Sequence, residues 1–271
     1  MKKRLKALFR RLKKNIKSPD IRMLPGQLAF FFLLTIIPIF ALIIAISSNL
    51  NVSDHFINSL IEKQLPGEIV TIFKIVSNLN SAKMNNIIFF ISALVLASNG
   101  TYSLIVISNK VYKIKDKGFI YDRLKSIGML LIIIFLFIFV MVVPVLGNYI
   151  TKTMNIVFHN DLSKQIRSIY NIFNLPLSWI FIFYSVKLLY IVSPDARISR
   201  KNVTYGALFT SLSWVIFTKI YSIYLTSFVN FNSIYGSISN LIILMWWIYF
   251  LSYIYVLGMA LNVSKYEEKE V

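Results

Sequence analysis

Apolar residues run in long unbroken stretches along most of this chain. Six stand out, at 28–46, 87–107, 127–146, 175–191, 203–225 and 238–263. Each holds about 20 residues, enough for a helix to cross a hydrocarbon core about 30 Å thick. The stretches are continuous rather than alternating, which excludes a membrane barrel. The pattern predicts an all-α polytopic membrane protein with six transmembrane helices. The first stretch is too long for a signal peptide, has no clean small-residue cleavage site, and five more follow it. The organisation expected is a cytoplasmic segment over 1–27, a six-span domain over 28–263 and a short charged tail over 264–271.

The segments between the spans carry weaker periodicities. Leu5, Leu8, Phe9, Leu12 and Ile16 follow helical spacing with basic residues between them, a basic amphipathic helix that Pro19 would end. Residues 49–84 hold two helix-like patches, Phe56–Leu60–Ile61 and Ile69–Ile72–Phe73–Val76, separated by Pro66-Gly67. Ile166, Ile169, Tyr170 and Phe173 form a similar stripe. Such amphipathic helices either lie on the membrane interface or cap the bundle.

Charge sets the orientation. The chain is 57% hydrophobic and only 15% charged, with a net charge of +18. In a soluble protein that excess would suggest nucleic acid; in a membrane protein it points to orientation and anionic lipid. Of the 29 Lys and Arg, 21 fall on the side of the two termini, six on the other, and Lys187 and Lys219 lie within spans. Both termini are therefore expected in the cytoplasm of a bacterial plasma membrane, with the N-terminal helix on the anionic leaflet. The rival for that helix is RNA or calmodulin binding; no nucleic-acid partner is expected. With no Cys, disulfides and thiolate metal sites are excluded.

A search for chemistry returns little. All eleven Asp and Glu lie outside the six stretches or at their edges, so proton coupling through a buried intramembrane acid is not expected. His55 and His159 fall in different loops, and the sequence suggests no carboxylate cluster to join them in a metal site. There is no P-loop, nucleophile elbow or His-Glu-x-x-His. The expectation is no enzyme, no metal and no cofactor. Polar residues inside spans are more suggestive. "LASNGTYS" places Ser98, Asn99, Gly100 and Thr101 near mid-membrane, where they mean either close helix packing or a polar cavity. Thr35 and Pro38 mark a kink in span one. Gly206 with Thr210, and Ala207 with Ser211, form small-xxx-small pairs in span five. Lys219 either snorkels outward or meets an anion in a cavity. Tyr235-Gly236 marks the outer turn into span six, which puts Trp247 about 13–16 Å down the helix, too deep for an interfacial anchor. Its indole N–H needs a partner there, and Asn99 or Ser98 is the expected one.

These residues resemble the YihY/BrkB family of bacterial inner-membrane proteins along nearly the whole chain. "LAFFFLLTIIPIFALI" is similar to the family's aromatic-rich run ending in Ser/Thr-x-x-Pro, and "SNGTYSLIVISNKVYKI" to its small-residue span followed by Asn-x-x-Tyr, here Asn109 and Tyr112. "VSPDARIS" resembles its short proline-containing inner loop. The most specific match is Tyr-Gly, then Trp-x-Tyr and a later Gly, here Tyr235, Gly236, Trp247, Tyr249 and Gly258. Many members follow that last Gly with Ala-Glu; this chain has Met259-Ala260, so no mechanism built on the acidic side chain carries over. The resemblance implies a six-span plasma-membrane protein without a settled activity, associated with envelope lipid movement. Some relatives have carried a ribonuclease name, which this sequence gives no support. The expected role is to move, or help move, a lipid or amphiphilic envelope precursor without hydrolysing nucleotide. The alternative is a non-transporting scaffold for an envelope or cell-wall assembly, holding an envelope protein partner.

Overall fold

The computed structural model describes residues 19–49, 58, 61–62, 67–78, 87–136, 161–228 and 237–266. These residues form helices and connecting loops, with no strand among them. We number the helices α1 (Pro19–Asn49), α2 (Gly67–Asn78), α3 (Ile87–Tyr112), α4 (119–136), α5 (Asp161–Val192), α6 (Thr204–Phe228) and α7 (Ser237–Tyr266). Among the described residues, four helical stretches are long and apolar enough to cross a membrane: Arg22–Ser47, Ile87–Tyr112, Thr204–Tyr224 and Leu241–Val263. Ser178–Val192 in α5 is a shorter apolar stretch. The N-terminal amphipathic helix and the second half of the third apolar run lie outside the described residues.

Two boundaries differ from the hydropathy reading. α1 starts at Pro19 instead of near residue 28, because proline is favoured in a first turn where its missing N–H costs nothing. α5 starts at Asp161, so the amphipathic stripe at 166–173 and the apolar run at 175–191 form one helix with Pro176 inside it. Hydropathy separated them only because the first part is polar.

α1 packs against α3 and α7; α7 also packs against α6, which in turn contacts α5. One core lies toward the end of the bundle that carries the α3–α4 and α5–α6 connections, here called the lower end. There Leu24 and Leu28 of α1, Leu104 and Ile107 of α3, Val186 and Tyr190 of α5, and Tyr255 and Met259 of α7 are all buried. A second core joins Phe40, Ala41 and Ala45 of α1 to Leu244 and Ile248 of α7 and to Ile69, Phe73 and Val76 of α2. Phe73 meets Phe40 edge to face at 5.2 Å. The α2 stripe thus caps the bundle, resolving the alternative left open by its periodicity. Leu130 and Ile134 of α4 close a third cluster with Ala93 and Ala97 of α3 and Leu42 of α1.

Lipid tails are as apolar as leucine, so helices associate by close packing and internal hydrogen bonds rather than by escape from water. The tightest approach is between α6 and α7. A Cβ on Gly206 would lie 2.1 Å from the Gly258 carbonyl oxygen, and one on Gly258 would lie 2.0 Å from Thr210 Oγ1. The Gly206 N–H, an orphan donor in the first turn of α6, donates to Asn262 Oδ1 of α7 at 2.8 Å.

Candidate functional site

The lower end of the bundle holds a buried polar cluster built from three separate segments. The first is the end of α3. Its backbone closes with the Ile114 N–H on the Asn109 carbonyl and the Lys113 N–H on the Lys110 carbonyl. That is a Schellman turn with Lys113 at φ 55° in the position glycine usually takes. The turn fixes Asn109 in the last helical turn, where its side chain is 1% exposed. The second segment is the first turn of α4, bearing Asp122, Arg123 and Lys125. The third is the α5–α6 connection, bearing Ser193, Pro194 and Asp195.

Asn109 and Lys125 together hold Asp195. Asn109 Nδ2 donates to Asp195 Oδ2 and, at 2.8 Å, to Asp116 Oδ1; Asn109 Oδ1 accepts the Asp195 backbone N–H at 2.9 Å. Lys125 Nζ donates to Asp195 Oδ1 at 2.6 Å and to the carbonyls of Ser193 and Pro194 at 2.8 and 2.9 Å. All three ammonium donors are thereby used. Beside them, Ser108 Oγ donates to Ser193 Oγ at 2.6 Å.

Carboxylate oxygens of Asp116, Asp122 and Asp195 all lie within 4.8 Å of one another. This corrects the expectation that the chain forms no carboxylate cluster. Asp195 is distant in sequence from Asp116 and Asp122, and all three stand among basic residues that a charge count reads only as orientation. Their environments split them. Burial, then the Asp195 charge and a hydrogen bond shared with Asp195, then the Asp116 charge, raise Asp122 above the ordinary carboxylate range, with Lys125 opposing. Burial alone would raise Asp195 too, but the hydrogen bonds from Lys125 and Asn109 outweigh it and hold that carboxyl low.

A second set of polar contacts ties α5 and α6 to α7. The Tyr190 hydroxyl donates to the Tyr255 carbonyl at 2.7 Å and so must accept from Thr210 Oγ1, also at 2.7 Å. Trp214 Nε1 donates to the Leu251 carbonyl at 2.9 Å, and the Tyr221 hydroxyl to the Ile243 carbonyl at 3.2 Å. Each aromatic tip takes the spare lone pair of a helix carbonyl, a route to satisfaction where water is absent.

The residues singled out from sequence are placed as follows. Ser98, Gly100 and Thr101 are buried in close helix contact: Ser98 Oγ donates to the Val95 carbonyl, Thr101 Oγ1 to the Ser126 carbonyl of α4, and Gly100 faces Phe32 and Thr35 of α1. Among the described residues, close helix packing is what this stretch shows. Thr35 is buried with its hydroxyl on the Phe32 carbonyl, and Pro38 lies half-buried inside α1. Asn99 turns toward α4, where Oδ1 accepts from Arg123 Nη1 at 2.8 Å while Arg123 Nη2 reaches the Val95 carbonyl. Tyr112 lies at the end of α3, partly buried against the lower core. Lys219 is exposed on α6, away from the cluster. Gly258 sits against Gly206, Thr210 and Tyr190. Tyr235 and Gly236 lie outside the described residues.

Trp247 does not meet Asn99 or Ser98. It faces α6, stacked on Tyr221 at 6.0 Å, and among the described residues its buried Nε1 has no hydrogen-bond partner. Depth along a helix fixes how far a residue sits in the membrane but not which neighbour its side faces. Trp247→Phe removes an unpaired donor and is expected to change stability by less than about 1 kcal/mol, because the relieved desolvation offsets the lost contact area. Trp214→Phe loses a made bond and is expected to cost about 1–1.5 kcal/mol. Thermal melts of the two variants in one detergent check the contrast; a larger loss in Trp247→Phe would contradict it.

Tyr249 is exposed and lines, with Met245, Trp246 and Phe250 of α7 and Gly26, Ala29, Phe30 and Leu33 of α1, an apolar lateral groove of about 410 Å³. The structure therefore presents an apolar groove between α1 and α7. Periodicity could not reveal it, since its walls read as ordinary lipid-facing surface. The buried residues that sequence reasoning missed, Asp122, Lys125, Asp195, Tyr190 and Asn262, carried no signal beyond their place at span ends or, for Tyr190, within an aromatic-rich helix.

Comparison with known proteins agrees with this architecture. The chain is 27% identical over 251 residues to the "Putative ribonuclease-like protein YfkH" of Bacillus subtilis, covering 91% of this chain and 90% of that one. It is 26% identical over 275 residues to the "UPF0761 membrane protein VP0125" of Vibrio parahaemolyticus, covering 97% and 83%. The "UPF0761 membrane protein YihY" of Escherichia coli is 31% identical over 112 residues, 41% of this chain and 37% of that one. No solved structure matches. The sequence profile of the family described as "Virulence factor BrkB" matches residues 12–271, and the chain belongs to that family of membrane proteins.

Proposed function

We propose that this chain is a six-span, non-enzymatic plasma-membrane protein that moves, or helps to move, a lipid or amphiphilic envelope precursor, with no nucleotide hydrolysis of its own. Both termini lie in the cytoplasm, following the 21-to-6 division of basic residues, and the N-terminal basic helix rests on the anionic leaflet. The lower end of the bundle then faces the cytoplasm. The observation that carries the reading is the lateral groove between α1 and α7. It has apolar and aromatic walls and a volume within the ~300–1,000 Å³ of small-molecule clefts. An acyl chain in this groove would lie along the bundle while its headgroup moved past the polar residues of the lower end.

The test is transbilayer exchange of fluorescent lipids in liposomes holding the pure protein. Gly26 lines the groove, and a Cβ there would meet nothing within 4 Å, so a side chain can leave the backbone at this point, and Gly26→Trp is the variant that fills the groove. The expected result is exchange above empty liposomes, lowered at least tenfold by Gly26→Trp, which corresponds to about 1.4 kcal/mol on the barrier. Exchange equal to empty liposomes across several lipid classes, or unaltered by the tryptophan, would overturn the reading. The close α6–α7 contact at Gly206 and Gly258 favours a second reading, a rigid scaffold for an envelope assembly. In that case a stoichiometric partner recovered by crosslinking persists in Gly26→Trp.

A further inference from the structure

The geometry points to a divalent-cation site at the lower end of the bundle, formed by Asp116, Asp122 and Asp195. Three observations support it independently of any lipid movement. The first is spacing. One oxygen from each carboxylate lies within 4.8 Å of the other two, and Ca²⁺ takes oxygen ligands at about 2.3–2.6 Å, so ligands on opposite sides of it stand about 4.6–5.2 Å apart. A cation could sit among these oxygens with little backbone movement. Mg²⁺ or Mn²⁺ would take the same oxygens at shorter distances, with water completing the shell.

The second observation is an unmet demand. Asp122 is 2% exposed, and its Oδ1 is buried without a hydrogen-bond partner among the described residues. A buried acceptor left unpaired costs about 1–3 kcal/mol, more when charged. The Asp122 carboxyl shares a hydrogen bond with Asp195, but among the described residues no side chain of α3, α4 or the α5–α6 connection donates to Oδ1. Asn109 is committed to Asp116 and Asp195, Lys125 to Asp195 and two carbonyls, and Arg123 to Asn99 and Val95. What Oδ1 does have nearby is two further carboxylates, an arrangement that satisfies a cation and repels an anion.

The third is charge and access. Three carboxylates share one ammonium in contact, Lys125. Lys115 and Lys117, on either side of Asp116 in the chain, are exposed, and Lys117 Nζ lies by the Tyr121 hydroxyl. Asp116 is also exposed, so the site has a door to water on one side and a dry wall of α3 and α4 on the other. The chemistry is that of a hard cation held by oxygen, of the Ca²⁺, Mg²⁺ or Mn²⁺ class. Binding would join the α3–α4 turn to the α5–α6 connection.

Mn²⁺ is the probe. Purified protein in an uncharged detergent at neutral pH, stripped with EDTA and then freed of it, is titrated with Mn²⁺ alone while free Mn²⁺ is followed by electron paramagnetic resonance. The expected result is one Mn²⁺ per chain, displaced by excess Ca²⁺ or Mg²⁺. Asp122→Asn, which keeps the shape of the side chain, should weaken binding at least tenfold, and so should the solvent-exposed Asp116→Asn, whose amide oxygen can still accept from Asn109. Glu62→Gln, at a distant exposed salt bridge to Lys74, should leave it unchanged. Absence of a stoichiometric site overturns the proposal, as does binding that both aspartate variants retain. If Asp122 simply carries a proton shared with Asp195, wild type takes up no Mn²⁺, and that outcome also overturns it.

Discussion

Gly258→Ala is expected to be among the most damaging single-methyl changes in this bundle, costing about 3 kcal/mol or more, at the upper end of what overpacking usually does. The added carbon would lie 2.0 Å from Thr210 Oγ1, 2.5 Å from the Tyr190 hydroxyl and 2.9 Å from the Gly206 carbonyl oxygen. Two of these atoms belong to side chains, but neither is free to leave: Thr210 and Tyr190 bond to each other, and Tyr190 also holds the Tyr255 carbonyl. α7 must therefore move away from α6 and α5 together. Movement also breaks the Trp214 bond to Leu251 and separates Asn262 from the Gly206 N–H. Gly206→Ala should be as severe for a different reason. Its methyl would meet the Gly258 carbonyl oxygen at 2.1 Å, a backbone atom that cannot rotate aside. The two differ in what rescues them. Thr210→Gly removes the nearest clash of Gly258→Ala and should recover part of the lost melting temperature, while it should do nothing for Gly206→Ala. Melting curves of the single and double variants in detergent decide this. A Gly258→Ala protein that melts like wild type would show that the helices are not held at backbone contact.

This contact was partly legible in the sequence, and its limits are instructive. The small-xxx-small pair Gly206 and Thr210 announced a close helix neighbour, and Gly258 was singled out by the family resemblance. A small residue declares that something comes near without saying what. Asn262, which caps the start of α6 from across the interface, had no local signal at all. Helix existence was readable because apolar runs of about 20 residues have few alternatives in a membrane. Helix rotation was not, because a chain hydrophobic on all sides has little amphipathic asymmetry to orient it. That is why Trp247 was assigned to Ser98 and Asn99 when it faces Tyr221, and why Asn99 turned out to serve Arg123. At the lower end the difficulty was different. Asp116 and Asp195 lie in short basic connections and Asp122 at the start of α4, where each acid looks like an isolated span-end residue beside several basic ones. Only the Schellman turn after Asn109 and the packing of the α5–α6 connection bring them together.

Breaking the Lys125–Asp195 pair should produce the second large effect, and its pattern separates a buried ion pair from a surface one. The Lys125 side chain is 14% exposed and that of Asp195 0%, so solvent cannot take over for a missing partner. Lys125→Met would leave Asp195 charged without its ammonium, held by Asn109 and by the hydrogen bond it shares with Asp122. The expected cost is about 3–5 kcal/mol, the range for an uncompensated buried charge. Asp195→Asn removes the charge but cannot keep the bonds. Its amide would place an NH₂ either against Asn109 Nδ2 or against Lys125 Nζ, and Asn109 cannot flip to receive it because its Oδ1 already accepts the Asp195 N–H. A loss of about 1–3 kcal/mol is expected from that mismatch. The double variant Lys125→Met with Asp195→Asn should be more stable than the sum of the two losses predicts, by a coupling within the roughly 0.5–3 kcal/mol found for residues in direct contact. Denaturation in micelles with EDTA present, so that no cation takes the lysine's place, measures all four corners of the cycle. Additive losses, or a Lys125→Met protein as stable as wild type, would mean that Asp195 is held without Lys125, leaving that lysine as one more positive charge at the lower end of the bundle.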